Sequence, residues 1–217
     1  MNSNSVFNEI FDDNLVVRKI KNKLPKLFQL AELESSRDGK IGMEIGSVRE
    51  RILISLLMFK FGIDIVNSKI RITEPEVDVF VKEQALSIKT ISTKTSKLSS
   101  GVKLIWTVDA QKAQEFKENY TPKCDLLLTQ IVWNGTGKLC LFSTNSQNKV
   151  LNEIGKDRYI KLPKQGTNPL GAEITAEALN LLLQCEDTRI IEIKFIRGEI
   201  DYREVYTKWL EMWRDEY

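Results

Sequence analysis

Pro75-Glu-Val-Asp-Val-Phe-Val-Lys-Glu-Gln-Ala-Leu-Ser-Ile-Lys-Thr90 reads as two short strands joined by a tight turn. The β-branched Val77, Val79 and Val81 alternate with Glu76, Asp78 and Phe80. After Lys82-Glu83-Gln84-Ala85 the alternation resumes, with Leu86 and Ile88 against Ser87 and Lys89. A turn centred on Glu83-Gln84 would place Asp78 opposite Lys89, Val79 opposite Ile88 and Val81 opposite Leu86. Cross-strand partners share a face. One face of the hairpin is then apolar, and the other sets a carboxylate beside an ammonium. Such a pair is either a surface ion pair, worth ~0.2–1 kcal/mol when exposed, or half of a metal-dependent active site.

Ahead of this hairpin the sequence is helical. Val6, Phe7, Ile10, Phe11, Val17 and Ile20 recur at helical spacing over residues 5 to 23, and Pro25 is expected to interrupt before a second helix over 25 to 34. Ser35-Ser-Arg-Asp-Gly39 is a turn signal, and Lys40-Ile-Gly-Met-Glu-Ile-Gly46 is too rich in glycine for a confident helix. A strong helix is predicted from Ser47 to Phe61, opened by the capping-box pattern Ser47-Val-Arg-Glu50 and closed by Gly62.

Behind the hairpin, Ser92 to Gly101 is a polar loop with Lys94 and Lys97, Lys103 just beyond, and no acid between them. Its hydroxyls and ammonium groups suit phosphate contacts; a merely solvated loop is the plain alternative. There follow a buried strand over 102 to 108, a helix over 109 to 119 opened by Asp109, and strands over 124 to 133 and 138 to 144 around Asn134-Gly-Thr-Gly137. A short helix over 147 to 154, a Lys/Pro/Gly loop over 156 to 172, a helix over 175 to 185 and a strand over 189 to 195 come next. The last helix, 199 to 216, carries Tyr202, Tyr206, Trp209 and Trp213 at a spacing that predicts core or dimer packing. This order predicts an α/β fold with a mixed central sheet flanked by helices. One domain is expected over 1–217, with a helical part at 1–62 and the hairpin and remainder at 63–217.

Composition narrows the chemistry. The 217 residues can enclose a sizeable core, and 42% hydrophobic with 29% charged residues fits an ordinary globular protein. The formal charge is only +2, so binding to a polyanion must come from a local patch. There is no histidine, which removes histidine bases, Ser-His-Asp triads and most zinc sites. Cys124, Cys140 and Cys185 are odd in number and far apart, which points to a reducing, cytoplasmic setting. Met-Asn-Ser-Asn-Ser5 has no apolar signal core. No apolar run approaches the ~20 residues of a membrane helix, so no membrane partner is expected.

Metal-assisted phosphodiester hydrolysis needs carboxylates to hold a divalent cation and a lysine to orient the attacking water and offset charge. Asp78 and Lys89 supply part of this. In the usual Asp…Asp/Glu-x-Lys pattern the second acid stands two residues before the lysine, and here that residue is Ser87. Two substitutes exist: Glu76, on the strand face of Asp78, and Glu50, in the first turn of the preceding helix. Glu50 has a competing role in closing the capping box with Ser47. Arg49 and Arg51 either contact phosphate or, as is more usual, solvate the helix. Asp187…Glu192-Ile-Lys194 spells the literal motif, but five residues are too few to bring Asp187 and Glu192 from two paired strands. Ile191, Ile193 and Phe195 alternate as in a half-buried strand, which puts Glu192 and Lys194 on its solvent face.

A helix-borne glutamate, an aspartate on a strand and Ser-x-Lys on the next strand together resemble the PD-(D/E)XK nuclease core, in the variant whose glutamate has moved to the preceding helix. Gly42-Met-Glu-Ile-Gly-Ser-Val-Arg-Glu-Arg51, with Glu76-Val-Asp-Val79 and Leu86-Ser-Ile-Lys-Thr90, resembles more closely the ThaI type of type II restriction endonuclease, which cuts CGCG. The resemblance covers about residues 40 to 95. It implies Glu50 and Asp78 as metal ligands, the Ile88 backbone carbonyl as a further ligand, Lys89 as the catalytic lysine and Mg²⁺ as cofactor. It also implies a homodimer that hydrolyses both strands of double-stranded DNA at CG/CG, leaving blunt ends with 5′ phosphates. A cognate DNA methyltransferase would protect the host DNA in such a restriction–modification system. The ThaI type places a methionine seven residues before the helix glutamate, and Met43 stands there before Glu50. That methionine would be an intercalating wedge from the minor groove, at a CG step that unstacks easily; core filler is the alternative. Lys94, Lys97 and Lys103 are the candidate DNA-binding lysines. Ser87 leaves the number of metal ions open. A repair or junction nuclease on the same core and a non-catalytic DNA-binding protein are the competing functions.

Overall fold

The computed structural model describes residues 5–37, 40–42, 44–70, 76–107, 109–163 and 171–214. A 3₁₀ turn at Val6–Asn8 leads into α1 (Glu9–Asp12) and α2 (Asn14–Glu34). The break falls at Asp13 rather than at Pro25. Asp13 is extended, and its Oδ1 accepts from the amides of Leu15 and Val16 at 2.9 and 3.1 Å, capping α2. Pro25 lies inside one continuous α2, so the expected division into two helices does not occur. The proline removes one backbone hydrogen bond, and the burial of Ile20, Leu24, Phe28 and Ala31 along the same helix offsets that loss. A small antiparallel pair, β1 (Ser36–Arg37) and β2 (Lys40–Ile41), precedes α3 (Ile45–Phe61). Helix α3 starts two residues earlier than predicted, takes in Gly46, and ends at Gly62 with φ 98°. That left-handed conformation suits glycine.

The strands that follow are β3 (Val66–Asn67), β4 (Val79–Val81), β5 (Gln84–Ser92) and β6 (Val102–Trp106). Helix α4 (Ala110–Glu118) leads to β7 (Asp125–Ile131) and β8 (Gly135–Phe142), then α5 (Thr144–Tyr159), β9 (Ile160–Lys161), β10 (Gly171–Ile174), α6 (Ala176–Leu182) and β11 (Arg189–Phe195). Six strands form the central sheet in the order β11-β8-β7-β5-β4-β3. Its neighbours are antiparallel except β5 and β7, which are parallel and joined by a crossover through β6 and α4. A second sheet, β6-β10-β9, lies to one side. Val79, Val81, Leu86, Ile88, Leu127 and Leu141 pack with Ile20, Leu24, Phe28, Leu53 and Leu57 of α2 and α3. The alternate positions Ile91, Leu126, Leu128, Cys140 and Phe142 pack with the second sheet, α5 and α6. The predicted mixed sheet flanked by helices is therefore what forms. No helix among the described residues is long and apolar enough to cross a membrane. Cys124, Cys140 and Cys185 are free thiols.

The hairpin register differs from the prediction by two residues. Val79 pairs with Leu86, Phe80 with Ala85 and Val81 with Gln84. The turn is Lys82-Glu83, both at positive φ (47° and 66°), as two-residue hairpin turns with matching twist require. A shift of two keeps each side chain on its own face. The apolar and polar faces are thus as expected, but Asp78 continues the register opposite Ser87 and reaches Lys89 along the diagonal.

Other boundaries moved as well. Trp106, expected within a buried strand, is 65% exposed. Helix α5 runs longer than 147–154 and is broken at Gly155 (φ 75°). The predicted loop 156–172 contains β9 and the start of β10, and its residues 164–170 lie outside the described residues. The C-terminal segment is a 3₁₀ turn (Tyr202–Tyr206) followed by α7 (Thr207–Arg214). Tyr202, Tyr206, Trp209 and Trp213 are all exposed, which rules out core packing for that stripe.

Candidate active site

Asp78 stands one residue before β4, where its amide still donates to the Leu86 carbonyl at 2.9 Å. One of its oxygens, Oδ2, collects three donors: the Ile88 amide at 2.6 Å, Lys89 Nζ at 2.7 Å and Ser87 Oγ at 3.3 Å. None of these bonds uses Oδ1. The Asp78 and Lys89 side chains are 18% and 17% exposed. A pair this sheltered is held by its surroundings and is not the loosely screened surface pair of the plain reading.

Glu50 approaches from α3. The capping box expected with Ser47 does not form, because α3 begins at Ile45 and Glu44 occupies the cap position without a side-chain bond. Ser47 is inside the helix, and the Glu50 carboxylate is released from the backbone. It is half-buried and takes no hydrogen bond or ion pair from the described residues. Burial raises its pKa first, the nearby Asp78 charge raises it further, and Lys89 and Arg51 pull it down. Two carboxylates share one partly dry space, and one of them lacks a donor. An oxygen-seeking divalent cation satisfies that arrangement. No three Asp, Glu or Cys side chains among the described residues converge on a single metal position. A cation held by Glu50 and Asp78 would have to complete its shell with backbone carbonyl, water or substrate oxygens, as Mg²⁺ commonly does.

Glu76 does not lie on the Asp78 face of a strand. It precedes β4 at φ 74°, a sparsely populated conformation for a residue with a side chain, and it is 7% exposed. Burial pushes its carboxyl up to about 7, against the lowering effect of the Tyr120 hydroxyl, Lys123 and Lys89. Tyr120 and Cys124 beside it are raised as well, by burial first and then by the Glu76 charge, Cys124 to about 12.

The lysine loop is anchored rather than free. Leu98 is buried, and Gln130 Nε2 donates to Thr93 Oγ1 at 2.8 Å and to the Thr95 carbonyl at 3.1 Å. Lys94 and Lys97 are exposed on it. Lys103 lies on β6 with its Nζ 3.9 Å from the Trp106 ring centroid. Met43 lies outside the described residues. Glu192 and Lys194 sit exposed on the edge strand β11, and Asp187 is bonded to Ser143 and Ser146 instead. The literal motif therefore does not assemble.

Arg49 is the residue the sequence misplaced. Expected in solvent, it is 5% exposed. Its guanidinium donates to Glu32 Oε1 at 2.6 Å and to Ser92 Oγ at 3.3 Å. Glu32, also buried, accepts in addition from Trp133 Nε1 at 2.7 Å and from Arg197 at 2.5 Å. The signal was present in the spacing: Arg49, Leu53 and Leu57 form one stripe of α3, as Phe28 and Glu32 do on α2.

A family model described as restriction endonuclease ThaI matches residues 10–215. A solved structure, a restriction endonuclease in complex with substrate DNA, is 47% identical over 96% of this chain and 99% of that chain, with a TM-score of 0.86. No curated protein matches.

Proposed function

The chain belongs to the ThaI family of restriction endonucleases, type II site-specific deoxyribonucleases, and from that membership we propose that it is Mg²⁺-dependent, with Glu50 and Asp78 as metal ligands and Lys89 as the catalytic lysine. The observation that carries this reading is the convergence of the Glu50 carboxylate, without a hydrogen-bond or ion-pair partner among the described residues, on the Asp78–Lys89 pair. The Ile88 carbonyl is the proposed third protein oxygen. Lys89, within reach of Asp78, orients the attacking water and offsets charge at the phosphate. Water adds to phosphorus, the P–O3′ bond breaks, and the products are a 5′ phosphate and a 3′ hydroxyl. Bound Mg²⁺ supplies the positive charge that stabilises the phosphate and the leaving oxygen.

DNA is the proposed substrate. Support comes from the family and from the DNA bound in the similar structure. Cleavage at CG/CG with blunt ends, a homodimer acting on the two strands, a Met43 wedge in the minor groove and a partner methyltransferase extend the same reading. Lys94 and Lys97 would contact backbone phosphates.

Digestion of a plasmid rich in CGCG, with and without Mg²⁺, tests the proposal. Wild type should give discrete fragments only with Mg²⁺, ending in CG, and Asp78→Asn should give none. An intact plasmid under all conditions, with its mobility still shifted by the protein, would refute the catalytic reading. Cutting by DNA structure rather than sequence would point to the repair class.

A further inference from the structure

We propose that Arg49, clamped by Glu32, is a positioning residue for the catalytic site: it fixes the helix that bears Glu50 against the strand that bears Lys89. This inference rests on the function proposed above. Arg49 precedes Glu50 in α3, and Ser92 follows Lys89 by three residues in β5. The guanidinium therefore ties the two chain segments together within one turn of Glu50 and three residues of Lys89. One of its nitrogens meets Ser92 Oγ at 3.3 Å and another meets Glu32 Oε1 at 2.6 Å.

The clamp itself is held from three further sides. Trp133 Nε1 donates to the same Glu32 oxygen, and Arg197 donates to the other. The Phe28 ring lies 5.7 Å from the guanidinium carbon of Arg49, and Trp133 lies 4.2 Å from that of Arg197. Gln29, on the same helix as Glu32, exchanges two hydrogen bonds with the Gly198 backbone at 2.7 and 2.9 Å. Elements α2, α3, the β7–β8 turn and the segment after β11 thus meet at one buried carboxylate, and β5 joins them through Ser92 and Arg49. A planar, two-pronged cation can reach two elements at once, and lysine cannot reproduce that geometry. Partners that hydrogen-bond a metal ligand itself typically set affinity or activity by about 10–100-fold; Arg49 acts one step further out, through the backbone of α3 and β5, so an effect at the lower end of that range is expected.

The test uses Arg49→Met combined with Glu32→Gln, which removes both buried charges together and keeps an amide oxygen for Trp133. Such paired replacement preserves folding better than removal of one partner. Arg49→Lys is the conservative companion. Full-length proteins are compared for Mn²⁺ affinity by titration calorimetry, for DNA binding in Ca²⁺, and for kcat and KM in Mg²⁺, with circular dichroism to confirm folding. The double variant should bind Mn²⁺ about 10-fold more weakly and lose kcat by about 10-fold, the lower end of the range for partners of a metal ligand, with KM and DNA affinity within about threefold of wild type. Arg49→Lys should fall in between. Wild-type Mn²⁺ affinity and kcat in the folded double variant would overturn the proposal. So would losses shared equally by DNA binding and metal binding, which mark a general structural role. Wild type is the control that separates the two readings: if it does not cut, the nuclease assignment fails, while the Mn²⁺ titration still reports on the clamp.

Discussion

The hairpin at 76–89 and the segment at 187–194 each set an aspartate ahead of an x-Ile-Lys triplet, and they end in opposite places. In the hairpin, Asp78 and Lys89 come from adjacent strands and meet at 2.7 Å, both largely out of solvent. In the second segment, Asp187 bonds the serines that open α5, while Glu192 and Lys194 lie exposed on the sheet edge, opposite Lys138 and Thr136. The hairpin lacks the motif's second acid and the edge strand has it. What separates them is length of chain. Ten residues between Asp78 and Lys89 allow a turn and a return; four between Asp187 and Glu192 do not. A helix from elsewhere brings another carboxylate, Glu50, close to Asp78 and Lys89 in the segment that turned back.

The largest effect should come from the centre of the converged segment. Lys89→Met keeps most of the side-chain bulk and removes the charge. Single-turnover cleavage in saturating Mg²⁺ should slow by about 10²–10³-fold, the usual loss when one group that stabilises transition-state charge is deleted. DNA affinity in Ca²⁺ should hold within a few fold. A Lys89→Met enzyme as fast as wild type would make the pair structural and erase the contrast with the edge strand.

Glu76 gives the next largest effect, read in stability rather than rate. Its carboxyl is raised by burial to about 7 from 4.5, so the folded protein holds that proton more tightly than the unfolded chain does. Stability is therefore lost as pH climbs from about 4.5 to 7, by on the order of 3 kcal/mol across the window. Glu50 tilts in the same direction, since its pKa is raised as well, and so the difference between wild type and Glu76→Gln is the useful quantity. Urea melts at pH 4.5 and 7.5 should show the variant gaining on wild type as pH rises. Parallel pH curves would mean that Glu76 does not titrate in this window.

Much of the converged site was legible in the sequence, because period-2 alternation fixes which residues share a face whatever the exact register. The prediction misplaced the turn by one residue and the pairing by two, yet Asp78 and Lys89 still fell on one face. Strong periodicity also gave α4, with its Asp109 cap, and β11 at its observed limits. The misses have a common cause. Pro25, Glu50 and Arg49 were read by local rules for helix interruption, capping and solvation. For Pro25 and Arg49, burial against another element overrode the local preference; for Glu50, the earlier start of α3 at Ile45 put Ser47 inside the helix and left no capping box to close. Glu76 was read by strand alternation, which stops short of it, since its backbone is at positive φ.

The lysine loop should produce a smaller and different signature. Replacing Lys94 and Lys97 by Ala removes two exposed charges and leaves the anchoring Leu98, Thr93 and Gln130 untouched. If both lysines meet phosphates, the slope of log affinity against log salt should become shallower by about 2, and binding at physiological salt should weaken about equally for cognate and unrelated DNA. An unchanged slope would return the loop to plain solvent.

The smallest effect belongs to the edge strand, and it is what makes the contrast specific. Glu192→Gln with Lys194→Ala strips the literal motif of both charged members. Their β-carbons point to solvent, Ile191, Ile193 and Phe195 hold the strand from its other face, and no hydrogen bond or ion pair among the described residues depends on either side chain. Exposed substitutions of this kind stay within about 0.5 kcal/mol. Thermal unfolding should therefore shift by no more than a few degrees, and cleavage rate and metal dependence should match wild type. A loss of cleavage there comparable to that of Lys89→Met would mean that exposed β11 residues enter the reaction, as a part supplied to a second copy of the chain, and the two segments would then belong to one composite site.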